Sequence, residues 1–347
     1  MPIRSPEDLF ITVLSHLHSA ETRTKAVCDE LSQMAEDPNV RKWFELNSYL
    51  EGQHLANVEQ CFKMLGKQPV QAEGRWVDVF AENFRNVWYA IKSPEMKALY
   101  LLISIRKIQN LHIAEYGTLA VMAAYAGYAD VAVLLERNRE DKIAHLERSN
   151  RMLLNRARQK LGEEARGDTA AIQNAEDLFI TVLSHLQSTE ARTKAICDEL
   201  VQLAQDPDAK RWFALTAYVQ AQHLANVEQC FKLLGKQPVQ LEGKWVDIFA
   251  ENFRNVWKEI HSPAMKALYL LITVRRIQNF HIAEYTSLAV MAELAGYEGV
   301  AVLLERNRED KIAHIERSNE VLASRLRQEL GSHVREEFGE QMLKRVA

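Results

Sequence analysis

The string DLFITVLSHL opens at Asp8 and opens again at Asp177. With that offset held and no gap introduced, segments 8–155 and 177–324 agree at about 108 of 148 positions, which marks a tandem duplication. The blocks VEQCF, GKQPV, WVD, AENFRNVW, MKALYLLI, HIAEY and VAVLLERNREDKIAH all recur. Each copy is long enough to be a domain. The chain is therefore read as copy one over 6–155, a charged, small-residue linker over 156–175, copy two over 176–326 and a polar helical tail over 327–347.

Composition agrees with a helical reading. The 347 residues are 47% apolar and 26% charged, with only 13 Gly and 8 Pro, so chain breakers are sparse and long helices are expected. No apolar run approaches the ~18 residues of a membrane span, and no signal peptide opens the chain. A net charge of −4 gives no electrostatic reason to expect nucleic acid. Four cysteines make no disulfide framework, which points to a reducing cytoplasm. Cys28, Cys61, Cys197 and Cys230 fall on apolar faces and read as small core residues.

Four long helices are expected per copy. In copy one the first covers about 6–35, and the second covers about 39–65 and stops at Gly66. A crossover follows, with a short amphipathic helix on which Trp76, Phe80, Phe84 and Trp88 recur every fourth residue and cover the bundle. The third helix starts at the Ser93-Pro94 cap and runs to about Ala126, and the fourth covers about 130–155. Two short joins and one long crossover give the connectivity of a ferritin-like four-helix bundle. The fold class is thus all-α, two tandem ferritin-like four-helix bundles with a short crossover helix each, packed as a pseudo-dimer.

Polar residues interrupt the apolar stripes near mid-helix. Glu21 lies on the first helix, Glu51 and His54 on the second, His112 and Glu115 on the third, and Asp141 and His145 on the fourth. Buried charges must pair, hydrogen-bond or bind metal. Carboxylates and imidazoles converging from four helices suit iron, manganese or zinc, and bundle di-metal centres use Glu together with Glu-x-x-His pairs. Copy two repeats Glu190, His223, His281, Glu284, Asp310 and His314, but Gln220 stands in place of Glu51. An amide is a poor bridge between cations, so the copy-one site is read as the more complete. The charged run Glu136–Lys142 mixes signs at helical spacing and reads as a solvated face. His16 and His185 flank the core stripe and read as core or flank residues.

At these residues the sequence resembles bacterial stress-associated ferritin-like proteins of the YciE/YciF type. The resemblance is carried by Ala20-Glu21, by His54 with Val58-Glu59-Gln60, Phe62 and Leu65-Gly66, and by Ile113-Ala114 with Tyr116-Gly117-Thr118-Leu119. Leu134-Leu135-Glu136 and Glu140-Asp141-Lys142 extend it through the fourth helix. It implies a bundle that dimerises and holds a di-metal centre. Only Glu21, His54, Glu59 and the Glu140-Asp141 pair carry over at matched positions; Leu50 stands where the family has its second-helix carboxylate, with Glu51 one residue late, and Gln109, His112, Glu115 and His145 also depart from the pattern.

Three functions follow from this reading. The first is a metal-binding protein, di-iron or Fe/Mn, that handles oxygen or peroxide or protects under stress; as an enzyme it would be a di-metal oxidoreductase. The second is a non-catalytic structural or partner-binding module with degenerate metal sites. The third is a di-metal oxygenase acting on an organic substrate through an apolar tunnel. Expected partners are metal ions and the other copy, with further self-association open.

Overall fold

The computed structural model describes residues 3–35, 38–71, 75–161, 174–204, 207–240, 244–330 and 342. Copy one contains α1 (Pro6–Met34), α2 (Pro38–Leu65), the crossover helix α3 (Arg75–Ala90), α4 (Pro94–Tyr125) and α5 (Ala129–Leu161). Copy two repeats them as α6 (Ala175–Leu203), α7 (Pro207–Leu234), α8 (Lys244–Glu259), α9 (Pro263–Leu294) and α10 (Glu298–Leu330). Helix α5 continues into the segment read as linker, whose positions 162–173 lie outside the described residues, as does the tail beyond Leu330 apart from Met342.

Local chemistry sets the helix ends. Ser5 caps α1 through a reciprocal box: Asp8 N donates to Ser5 Oγ at 3.1 Å, and Ser5 N donates to Asp8 Oδ2 at 3.0 Å. Asn174 takes that part for α6, accepting from Asp177 N at 2.8 Å. Ser93-Pro94 and Ser262-Pro263 start α4 and α9. Gly66 and Gly235 close α2 and α7 in the left-handed region, at φ of 63° and 64°.

Within each copy the helices pair as α1 with α2 and α4 with α5, then as α6 with α7 and α9 with α10. The two bundles meet along α4 and α9, and the crossover helices α3 and α8 pack on each other. Trp76, Val77, Ile108 and Leu111 share one apolar cluster with Trp245, Val246, Phe249 and Phe280. This gives the expected pseudo-dimer. Its central helices are buried almost all round, because one side faces their own bundle and the other faces the second copy. Ile3 N also donates to Glu259 O at 2.9 Å, tying the start of copy one to α8.

The register of α5 differs from the expected stripe. Its inward face carries Leu135, Asn138, Lys142, His145 and Ser149, while Asp141 and Met152 are exposed. Lys142 is fully buried, as is Lys311 at the matching place on α10. Of the charged run, Arg137, Glu140 and Asp141 are exposed as expected, but Glu136, Asn138 and Lys142 are buried, because Asn138 and Lys142 share with His145 one helical face that points into the bundle.

Candidate functional site

In copy one, Glu21 of α1 and Glu51 of α2 approach each other in the bundle core, and the Lys142 ammonium of α5 lies against both. Lys142 Nζ is 2.7 Å from Glu51 Oε2 and 3.1 Å from Glu21 Oε1. His112 of α4 places Nδ1 3.3 Å from Glu21 Oε1, and His54 Nδ1 is 3.7 Å from Glu51 Oε2. Gln109 Nε2 donates to Glu51 Oε1 at 3.3 Å. The Tyr116 ring lies 5.8 Å from the ammonium. Asn138 Nδ2 reaches both the Tyr116 hydroxyl at 3.1 Å and the His54 carbonyl at 3.0 Å.

The two carboxylates divide one proton between them. Burial and the neighbouring Glu51 charge push the Glu21 carboxyl well above its ordinary range, against the pull of Lys142. Burial would raise Glu51 too, but the Lys142 ammonium and a hydrogen bond from Glu21 overcome it and hold Glu51 well below that range. Burial opposes the charge on Lys142, yet the facing carboxylates raise its pKa. One carboxyl proton held by the Glu21–Glu51 pair opposite the Lys142 ammonium leaves the three groups together neutral.

Copy two builds the corresponding core with different letters. Lys311 Nζ is 2.9 Å from Glu190 Oε1, donates to Gln220 Oε1 at 2.9 Å and lies 3.2 Å from His281 Nδ1. The Tyr285 hydroxyl donates to Glu190 Oε1 at 2.8 Å. Burial works against Glu190, but His281 and Lys311 hold its carboxyl far below the ordinary range. Burial outweighs the neighbouring carboxylates at Lys311 and lowers its pKa, the opposite direction to Lys142. Gln220 thus stands where copy one has the depressed carboxyl of Glu51, and the carboxylate that copy two keeps is Glu190, the counterpart of Glu21.

The remaining expected site residues are distributed differently. Glu115 does not enter the cluster: one turn from His112, it is buried where α4 meets the second copy and pairs with Arg276 of α9 at 2.5 Å. Glu284 mirrors it, pairing with Lys107 of α4 at 2.5 Å and with His185 Nδ1 at 2.9 Å. Since 107 meets 284 and 115 meets 276, α4 and α9 run antiparallel, with reciprocal ion pairs across the copies. Burial opposes ionisation of Glu284, but Lys107 and His185 hold it down to about 2. Asp141 and Asp310 sit at the rim, 55% and 57% exposed, with His54 Nε2 and His223 Nε2 at 4.0 and 3.7 Å. His145 and His314 lie beside Trp43 and Trp212, with ring centroids 5.5 and 5.0 Å apart. Burial pushes both imidazoles down to about 4.

Lys142, Lys311, Tyr116, Tyr285, Asn138 and Asn307 were not among the expected site residues. The signal available for the lysines was their spacing, four residues from Asn138 or Asn307 and three from His145 or His314.

The donor set decides what the core can hold. A bundle di-metal centre draws a Glu from each of two helices and Glu-x-x-His from each of the other two. Here α4 turns its only core-level Glu away, and α5 contributes an ammonium. Two carboxylates already paired with a cation do not offset two divalent ions, and copy two has one carboxylate fewer. Neither copy fits a di-iron or Fe/Mn centre. What converges is narrower: one donor atom each from Glu21, Glu51 and His112, all within 4.8 Å of one another.

The four cysteines are free and buried, as expected of core residues. Burial pushes Cys61, Cys197 and Cys230 up to about 12, which leaves them inert as thiolates. Among the described residues no helix is long and apolar enough to cross a membrane.

The family model described as "Domain of unknown function (DUF892)" matches residues 5–162 and again 174–331. The Escherichia coli (strain K12) protein YciF is 26% identical over 152 residues, covering 42% of this chain and 87% of YciF. The crystal structure of the E. coli stress protein YciF aligns with a TM-score of 0.43 and 21% identity, over 46% of this chain and all of YciF. The solved YcfI of Rhodopseudomonas palustris aligns at 0.41 and 19%, over 44% of this chain and 98% of its own.

Proposed function

The chain belongs to the family described as Domain of unknown function (DUF892), through both of its copies, and from that premise we propose that it is a metal-independent structural or partner-binding module of a stress response. Its cytoplasmic placement and the stress role attached to YciF are parts of this reading. One observation carries it: in each copy a fully buried lysine, Lys142 or Lys311, lies against the core carboxylates. An ammonium built into the chain supplies the positive charge that a metal would otherwise bring. Both cores are then complete without a cofactor, and two bundles joined by reciprocal ion pairs form a rigid platform.

The test is metal content and thermal stability of protein purified without chelator and supplemented with Fe(II) and Mn(II). Fewer than about 0.3 metal per chain and an unchanged Tm with EDTA support the reading, since a ligand bound only by the folded state raises Tm by mass action. One or more ions per chain, removed by EDTA with a fall in Tm, overturns it.

A second reading is favoured by the convergence of Glu21, Glu51 and His112. A single Fe(II), Mn(II) or Zn(II) would take these three donors once Lys142 moved aside, in copy one alone because Gln220 brings no charge. Oxidase, peroxide-handling and oxygenase activities belong to this second reading, and the metal measurement separates it from the first.

A further inference from the structure

A cleft opens where the first helix of copy one faces the crossover helix of copy two. It measures about 630 Å³, within the range of small-molecule sites. Its walls are held in place. Thr12 and His16 stand one turn apart on α1, and Val70 N donates to Ser15 Oγ at 3.0 Å, which fixes Val70 and Gln71 against that helix. Asn252, Asn255 and Val256 come from α8 on the other side. Ile3 completes the lining: its N donates to Glu259 O at 2.9 Å, and the next residue, Arg4, donates its N to Asp8 Oδ2 at 3.0 Å.

The polar groups of this lining share one chemistry. Gln71 and Asn255 are exposed amides, each with a donor and an acceptor end. Thr12 Oγ1 donates to Asp8 O at 2.7 Å, so the hydroxyl oxygen is left to accept. His16 has no hydrogen-bond partner among the described residues. Its counterpart His185 is held by Glu284 at 2.9 Å, whereas Glu115, which would hold His16 in the same way, is paired with Arg276. Burial and the Arg276 charge push His16 down to about 4, so near pH 7 the ring is neutral and carries one N–H and one bare nitrogen. Lys258 and Glu259 are adjacent and opposite in sign, so they add no net charge. Ile3, Val70 and Val256 supply apolar surface beside these groups.

We propose that the cleft binds a neutral carbohydrate of one or two rings. A sugar hydroxyl both donates and accepts, which matches amides, a threonine oxygen and a neutral imidazole, while the C–H faces of the ring lie against the three aliphatic side chains. A carboxylate or phosphate only accepts and would leave the bare His16 nitrogen and the amide oxygens unmet. An ammonium only donates, and a hydrocarbon would leave every polar group without a partner. One site per chain is expected, because at the matching positions of the duplication His185 is already engaged and Tyr89 and Ala90 replace Lys258 and Glu259. The proposal stands whether or not copy one takes a metal.

Maltose, trehalose and sucrose serve as probes, titrated into the full chain with calorimetry and ligand-observed NMR. At least one is expected to saturate a single site per chain, moving the His16 imidazole resonances and leaving those of His185 in place. Asn255→Leu, at an exposed position of α8, should weaken that binding at least about five-fold, the usual effect of leaving a hydrogen-bonding group unmet. Asn86→Leu, at the matching position of α3, should leave it unchanged. His16→Leu should weaken it as Asn255→Leu does; if that variant does not fold, Asn255→Leu carries the test. No saturable binding of any of the three sugars below roughly 10 mM overturns the proposal. Two equal sites per chain, or binding that Asn255→Leu does not weaken more than Asn86→Leu, also overturns it.

Discussion

Lys142 Nζ lies 2.7 Å from Glu51 Oε2 in the core of copy one, with neither side chain reaching solvent. In copy two the same relation links Lys311 Nζ to Gln220 Oε1 at 2.9 Å. The lysine is common to both cores and the second carboxylate is not. The lysine is the group that both cores retain, whereas the place of Glu51 is taken by a neutral acceptor of the same shape.

Glu51→Gln should consequently be tolerated, changing stability by less than about 1 kcal/mol, because it reproduces the copy-two core and lets Glu21 ionise against Lys142. Lys142→Met should destabilise by about 3–5 kcal/mol, the usual effect of removing one partner from a buried ion pair. Urea unfolding at constant m value distinguishes the two. Equal losses for both variants would contradict the charge balance described above.

Sequence and structure part company at two particular places. The helix ends and the crossover were legible because Ser93, Pro94 and Gly66 punctuate the chain where capping chemistry requires. The phase of α5 was not. Asp141 and Lys142 are adjacent, and a lysine reads as solvent-facing until two carboxylates from other helices are seen to meet it. Glu115 was misassigned for a different reason. Helix α4 is apolar on nearly every side, so periodicity marks no single inward face, and the second copy that Glu115 meets is invisible to local patterning.

The pH dependence follows from the signs of the buried groups. His54, His112, His145, His223 and His314 all have lowered values, His145 and His314 at about 4 and His223 at about 3, with burial the leading cause. Unfolded, each binds a proton near the ordinary value of 6.5, so the unfolded chain binds more protons as pH drops and stability falls. Glu51, Glu190 and Glu284 are depressed, and their contribution is present above the ordinary 4.5 and lost as pH falls toward their folded values. Glu21, being raised, has the opposite sign: it favours folding below its ordinary value and opposes it above. The urea midpoint should therefore drop between about pH 7 and pH 5, before the carboxylates titrate. His145→Gln and His314→Gln should each flatten that slope. A midpoint constant over this interval would contradict the buried neutral state of the imidazoles.

The reciprocal pairs between copies make a separate prediction. Glu115→Met leaves Arg276 buried without its carboxylate and should destabilise by about 3–5 kcal/mol. Glu115→Met combined with Arg276→Met replaces the pair by apolar side chains and should recover most of that loss. A double-mutant cycle measures the coupling, expected at about 1 kcal/mol or more for groups in contact. Additive losses would show that the 2.5 Å pair between α4 and α9 contributes nothing to holding the copies together.

The central claim is that a lysine supplies the charge of a metal, and it is tested most directly by taking the lysine away. Zn(II) and Mn(II) binding should be measured on the native chain, Lys142→Ala and Lys311→Ala by elemental analysis after gel filtration. The native protein is expected to retain no stoichiometric metal. Lys142→Ala should gain about one ion per chain, since Glu21, Glu51 and His112 are then free to coordinate. Lys311→Ala should gain none, because Gln220 leaves Glu190 and His281 too few charges. A native chain that already holds one ion per molecule, or a Lys142→Ala chain that binds none while remaining folded, would contradict the account.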